Sequence, residues 1–456
     1  MEETLIRVAQ FILSLSILVT LHEFGHYITA RMFKTRVEKF YLFFDFLFPF
    51  PGIANFALFK KKIGETEYGL GWFPMGGYVK ISGMIDESMD EEAMKLPPQP
   101  WEFRSKPAWQ RLIIMLGGII VNIILAIFIY SMILLAYGEK KLPIAEAKYG
   151  YVADSLAQSI GLQSGDKIVG YNNAVKFDDA SVSVVKDMLF DDATSIQITR
   201  NGEAKSITVP PNVWPDMIKS RGKVEFLRLA FPSEIDSVDP KSQLRGKLQH
   251  NDKIIGIDDE PIQYFAEISM AIKRKIGKDV TVTALRGVDT LKYTAHIGED
   301  ALLGISGKSL DNYFNFDSTK YNIITCFPAG LKMSISVLGD YIKQFKLMFN
   351  SRYEGWKQMG GFASISKLYS TKWDWLGFWM STAFLSIVLA FMNLLPIPAL
   401  DGGHALFTLY EIITRRKPSD KFLEYAQIVG MVFVFGLLIF ANGNDLFRYI
   451  MSKFGG

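Results

Sequence analysis

The chain has 456 residues, is 49% hydrophobic and 14% aromatic, and carries a formal charge of +3. That is too apolar for an ordinary soluble enzyme and too polar for a chain wholly inside a bilayer, so it predicts a few membrane spans joined to water-exposed domains. The small net charge gives no reason to invoke nucleic acid, and the single cysteine, Cys326, excludes an internal disulfide.

The first apolar run covers about Leu5 to Ala30, with Arg7 its only charge before His22. It is long enough to cross hydrocarbon, which takes roughly 20 residues. Glu2 and Glu3 stand where a secretory signal would be basic, so the run is expected to be a span. It closes on His22-Glu23-Phe24-Gly25-His26. In H-E-x-x-H the two imidazoles lie one helical turn apart on one face, where both can hold one Zn²⁺, and Glu23 is left beside the metal as a base toward water. Ionisable groups at the end of a membrane helix are costly and mark function. Tyr27-Ile28-Thr29-Ala30 follow, with no third ligand among them, and Glu38 is a secondary candidate in a basic segment.

The loop from Arg31 to Arg111 holds Lys34, Arg36, Lys39, Lys60, Lys61 and Lys62, which places it on the cytoplasmic side by the positive-inside rule. Between Tyr41 and Phe59 it is crowded with Phe43, Phe44, Phe46, Phe48, Phe50 and Phe56. A segment dipping into the bilayer interface and a buried β-hairpin core both fit. Asp45 and Pro49-Phe50-Pro51 exclude a simple span, and the interfacial reading is the expectation. The glycine-rich stretch from Gly71 to Lys80 contains Gly76, Gly77 and Tyr78, and can form strands whose free edge accepts an extended peptide. A second span is expected over about 112–137 and includes Gly118-x-x-x-Asn122.

The long segment that follows contains a repeat. Ile160-Gly-Leu-Gln-Ser-Gly-Asp-Lys-Ile-Val-Gly-Tyr-Asn-Asn173 is echoed from Leu244 to Asp259, with a turn and then an alternating strand in each copy. From Tyr321 to Asn350 the apolar residues are at helical spacing but interrupted by Lys332, Asp340, Lys343 and Lys346, which predicts an amphipathic helix on the outer leaflet. A third span is expected over about 375–395. It runs into Asn393-Leu-Leu-Pro-Ile-Pro-Ala-Leu-Asp-Gly-Gly-His404. Pro396 and Pro398 cannot continue a regular helix, and Gly402 and Gly403 let the chain turn tightly around Asp401. An acid so placed is the better remote ligand for a metal on His22 and His26. A fourth span is expected over about 426–441, after Arg415, Arg416, Lys417 and Lys421 on the cytoplasmic side.

H-E-F-G-H in the first span and N-L-L-P-I-P-A-L-D-G-G-H in the third resemble the motifs of the site-2 protease family of intramembrane zinc metalloproteases, most closely its regulator-of-sigma-E-protease group. The resemblance covers essentially the whole chain. It implies one Zn²⁺ on His22, His26 and Asp401, with Glu23 as the base and Asn393 holding substrate backbone near the metal. It implies that Gly71–Lys80, with Gly76, Gly77 and Tyr78, is a membrane-reentrant β-loop that docks substrate as a strand. It places Gly118 and Asn122 in a structural or supporting role, although the family's common Gly-Pro pair is Gly118-Ile119 here. His404 is expected beside the metal rather than on it. Gly360-Gly361-Phe362 resembles a family Gly-Gly-Pro segment with Phe in place of Pro.

The repeat resembles the G-D-x-I element of PDZ domains. The expected fold is therefore a polytopic α-helical membrane protein, with about four spans and a reentrant β-loop, into which two β-rich PDZ domains are inserted. The expected divisions are 1–138, PDZ domains at 143–222 and 223–308, an amphipathic segment at 315–370 and a C-terminal membrane part at 371–456. The resemblance implies single-span membrane substrates of the anti-sigma-factor or remnant-signal-peptide type, cut in the inner membrane of a bacterium. The N-terminus and PDZ domains would lie outside, and the lipid bilayer and substrate would be the partners. Two other classes compete. A silent PDZ scaffold has no need of an intact Glu23. A metal transporter would need further ionisable residues within the later spans.

Overall fold

The computed structural model describes residues 2–47, 53–74, 76–84, 97–173, 177, 179–180, 184–220 and 225–454. Two compact units emerge. One is built from 1–138, 320–342 and 359–456, the other from 139–319 and 343–358.

The first unit is mainly helical. Its elements are α1 (Glu2–Met32), a small sheet of β1 (Val37–Leu42), β2 (Ala57–Ile63), β3 (Thr66–Gly71) and β4 (Tyr78–Ile81), then α2 (Ala108–Tyr137), the start of α3 (Cys326–Phe349), a short α4 (Phe362–Ser366), α5 (Trp375–Leu394), α6 (Asp401–Thr414) and α7 (Asp420–Phe454). Among the described residues α1, α2, α5 and α7 are long and apolar enough to cross a membrane. These match the four expected spans.

Close helix packing is made possible by glycine. A Cβ on Gly25 would lie 2.3 Å from the Gly117 carbonyl oxygen, so α1 and α2 cross with their backbones touching. Ala126, Ile129, Tyr130 and Ile133 of α2 pack on Ala383 and Ile387 of α5. Thr382 donates to Ser14 Oγ at 2.9 Å, joining α5 to α1. The first turns of α3 bury Cys326, Gly330 and Ser334, with Gly330 against Ser131 of α2. The sheet order is β2-β3-β1-β4, with β1 parallel to β3 and antiparallel to β4, so β4 is an edge strand. Val37 and Ile81 seat it on Ala30 and Ile114 of the helices.

One expectation changes here. The last helix runs to Phe454, well past the expected stop near Ala441. The polar run Asn442–Asp445 does not end it, because another segment satisfies those side chains. Asp445 accepts from the Gly361 and Ser364 backbone N–H groups and the Ser364 hydroxyl, and Asn442 accepts from the Phe362 N–H. The aromatic stretch also divides. Phe44 and Phe46 are buried, Phe44 stacked on Tyr78 and Phe46 tilted against it, whereas Phe56 and Phe59 are exposed, and Phe48 and Phe50 lie outside the described residues.

The second unit is β-rich. The strand Lys167–Tyr171 pairs with the hairpin Ser195–Arg200 and Glu203–Thr208. The strand Lys253–Ile257 pairs with the hairpin Asp279–Arg286 and Asp289–His296. The two copies of the sequence repeat thus begin equivalent three-stranded arrangements. Each is closed by the same pair, a buried aspartate under a half-buried arginine. Arg200 forks onto Asp166 at 2.7 Å and reaches the Gly161 carbonyl, while Asp166 also accepts from the Gln163 N–H. Arg286 forks onto Asp252 at 2.8 Å and reaches the Lys247 carbonyl, while Asp252 accepts from the Gln249 N–H. Arg286 accordingly holds the Asp252 carboxyl below the ordinary aspartate range. The strand Leu227–Leu229 lies beyond residue 222 but pairs with Tyr151–Ala153, and Phe226 and Leu227 join the core around Trp214.

Candidate metal centre

His22 and His26 project from one face of α1, with ring centroids 4.9 Å apart. The bend that carries Asp401 is built by the sequence between α5 and α6. Pro396 and Pro398 interrupt the helix, and Asp401 is the first residue of α6. Gly402 and Gly403 fit against the carbonyls of Leu394, Leu395 and Ile397, where a Cβ would come within 2.3 to 2.7 Å of backbone. Gly430 of α7 packs equally closely on Pro398 and Ala399. A part-buried ion pair holds α6 at its other end, Arg111 of α2 donating to Glu411 at 2.6 Å.

The result brings three ligand atoms together from segments nearly four hundred residues apart. Asp401 Oδ2 is 3.2 Å from His22 Nε2 and 3.2 Å from His26 Nε2. The two Nε2 atoms are 3.4 Å apart. Bonds of about 2.0–2.1 Å at tetrahedral angles place zinc ligands about 3.3 Å from one another, so this triangle has the edge a Zn²⁺ site needs. Asp401 Oδ2 is buried and receives no hydrogen bond of proper geometry, which is expensive unless a cation completes its surroundings. Two imidazoles and a carboxylate with a position left open are also the donor set of catalytic zinc. The residues fit the metal.

Every other site residue expected from the sequence has a definite place. Glu23 is half-buried and lines the same cavity of about 530 Å³ as His22, His26 and Asp401. Asn393 directs its amide at His22 Nε2 from 3.3 Å. Gly76, Gly77 and Tyr78 line the cavity with the rest of β4, Val79, Lys80 and Ile81. The Tyr78 hydroxyl donates to Asp45 at 3.0 Å, and burial together with that carboxylate raises its phenol above the ordinary range. Gly118 lies flat beneath both imidazoles, where a Cβ would come 2.5 Å from His26 Nε2 and 2.6 Å from His22 Cε1. Asn122 meets His22 Nδ1 at 3.0 Å. His404 lines the cavity one turn beyond Asp401 but is outside the cluster of ligand atoms, which among the described residues comprises His22, His26 and Asp401. Glu38 is excluded as a ligand, being occupied by Ser82 and Lys80.

Two supporting groups were not legible in the sequence. The Ile114 carbonyl sits 2.9 Å from His26 Nδ1, and a backbone group carries no residue signature. Arg111 and Glu411 are 300 residues apart, and each would pass for an ordinary loop or helix-end charge.

A histidine pair and a carboxylate at the spacing of zinc ligands, with a glutamate in the same cavity, fit a metal-dependent hydrolase. A family model described as peptidase family M50 matches residues 10–437, and the chain belongs to that family. It is a zinc-dependent protease. Among its relatives, metalloprotease MmpA of Caulobacter vibrioides is 25% identical over 99% of this chain and 98% of its own. A Rickettsia conorii protein, RC0203, whose name carries the words zinc metalloprotease, is 28% identical over 96% of this chain and 97% of its own. A Thermotoga maritima protein with the same words in its name is 25% identical over 97% of this chain and 99% of its own.

Proposed function

We propose that the protein is an intramembrane endoprotease that cuts single-span membrane proteins, with His22, His26 and Asp401 holding Zn²⁺. The observation that carries this reading is the triangle of Nε2, Nε2 and Oδ2 atoms in one cavity with Glu23, set among helices long enough to cross a membrane. When bound, Zn²⁺ supplies Lewis acidity toward water and the scissile carbonyl. Glu23 takes a proton from water and returns it to the leaving amine. The Asn393 amide donates to the substrate backbone beside His22. A helical substrate hides its amides, so it must unwind, and the free edge of β4 offers the main-chain hydrogen bonds that an extended strand needs. Gly76, Gly77 and Tyr78 border that edge.

The basic loops after α1 and α6 favour a cytoplasmic position for this end of the helices. The β-rich unit would then lie outside, in the periplasm, as a pair of PDZ domains that gate or sense substrate. Anti-sigma factors already trimmed outside, and remnant signal peptides, are the substrate classes that the family resemblance favours. The test uses the full chain in lipid nanodiscs with a single-span substrate. Cleavage inside the hydrophobic segment should stop with a chelator and return with zinc. Equal cleavage of a soluble unfolded polypeptide would sink the intramembrane assignment. Cleavage that survives removal of zinc would sink the metal role.

A further inference from the structure

We propose that Asn122 is the positioning residue for His22, its side-chain carbonyl accepting the Nδ1–H and thereby turning the Nε2 lone pair toward the metal. This rests on the ligand assignment above.

The two ligand histidines are supported differently. His26 Nδ1 faces the Ile114 carbonyl at 2.9 Å. A carbonyl can only accept, so the proton of neutral His26 sits on Nδ1, and Nε2 keeps its lone pair. His22 Nδ1 faces the Asn122 amide at 3.0 Å, with the amide nitrogen placed nearest. In that orientation Nδ1 accepts, and the imidazole proton must sit on Nε2, among the very atoms that should bind a cation. The Asn122 oxygen is meanwhile buried with no hydrogen-bond partner. A half-turn of the amide leaves the heavy atoms almost where they are and exchanges the two roles. The orphaned oxygen then accepts from His22 Nδ1, and both imidazoles present Nε2 lone pairs to the same point.

The residue that carries the amide is itself held in place. Asn122 is fully buried in α2, and its own backbone carbonyl accepts from the Ser386 hydroxyl of α5 at 2.7 Å. One turn before it, Gly118 lies against the ring of His22. His26 therefore has a partner that permits one tautomer, and His22 has a partner that permits two. Zinc binding selects the orientation of the Asn122 amide, and an amide already in that orientation strengthens binding.

The test measures zinc affinity of the full chain in detergent, by competition with a chromophoric chelator, for the parent, Asn122→Asp, Asn122→Leu and His22→Ala. Leu keeps the volume and offers no acceptor. Asp keeps the shape and can only accept. The proposal expects Asn122→Leu to lose about 10- to 100-fold in affinity, the usual effect of removing a group that orients a metal ligand, and Asn122→Asp to bind at least as tightly as the parent. Parent-like affinity in Asn122→Leu would overturn it, as would an equal loss in Asn122→Asp with the fold intact. Nitrogen-15 spectra of the zinc-loaded parent give a reading that needs no variant: His22 should be protonated at Nδ1, and protonation at Nε2 would overturn the proposal. His22→Ala separates the two levels of argument. If it binds zinc like the parent, the ligand assignment itself is wrong. If it loses zinc while Asn122→Leu does not, only the role of Asn122 is wrong.

Discussion

Buried acids occur in both units of this protein, and they are treated in opposite ways. In the β-rich unit Asp166 and Asp252 are each saturated by an arginine fork and a backbone N–H. In the helical unit Asp401 Oδ2 has two imidazole nitrogens near it and no proper donor. A buried carboxylate whose partners are complete is architecture. One whose partners are incomplete is waiting for something, and here the geometry says a divalent cation. Arg111–Glu411 is a further closed pair, one that fixes a helix.

The comparison breaks most sharply at Glu23. Glu23→Gln keeps the size of the side chain and removes the base, so cleavage should fall by about 10²- to 10⁴-fold while zinc stoichiometry is unchanged. Turnover measured beside metal analysis decides it, and full activity would remove Glu23 from the chemistry. Asp401→Ala should next lose both zinc affinity and activity, because two imidazoles alone make a poor site. Unchanged affinity would mean that another group ligates, with His404 the first to examine.

Arg200→Met tests the opposite prediction for a closed pair. It leaves Asp166 buried without its fork and should cost the β-rich unit about 2 kcal/mol, read as a lower unfolding midpoint, while zinc affinity stays at the parent value. A loss of zinc would mean that the contrast between the two kinds of acid is false. The smallest effect is with pH. Asp252 has a depressed carboxyl in the folded state, so its contribution to stability is fully present above the unfolded aspartate value of about 4 and drains away as pH falls below it toward the folded value. Acid unfolding of the β-rich unit should shift to higher pH when Asp252 is replaced by Asn only if other carboxylates carry the transition. Otherwise the replacement should flatten the acid limb, as circular dichroism against pH can show.

Much of this was readable from the chain because the signals are local. Four apolar runs gave four long helices, and two histidines four residues apart gave two imidazoles on one face. Asp401 was readable because prolines and glycines around an acid at the end of an apolar run are hard to explain otherwise. One expectation failed because a partner lay far away in sequence. Asn442–Asp445 read as a helix end because their partners, at 361–364, belong to a segment some 80 residues earlier. For the aromatic stretch an interfacial segment and a buried hairpin core both fitted the sequence, and burial divides it, Phe44 and Phe46 lying inward against Tyr78 while Phe56 and Phe59 are exposed.

The contact between Gly25 and Gly117 has a consequence for the motif itself. H-E-x-x-H is written as though its two middle letters were blanks. In this chain Phe24 is 40% exposed and could be exchanged for many residues, whereas any side chain at position 25 would collide with the main chain of a neighbouring helix. One blank is open and the other is filled by the absence of an atom. A saturation library over the five positions should therefore return four demanding columns and one permissive one, and the demanding column at Gly25 would report on how two helices meet.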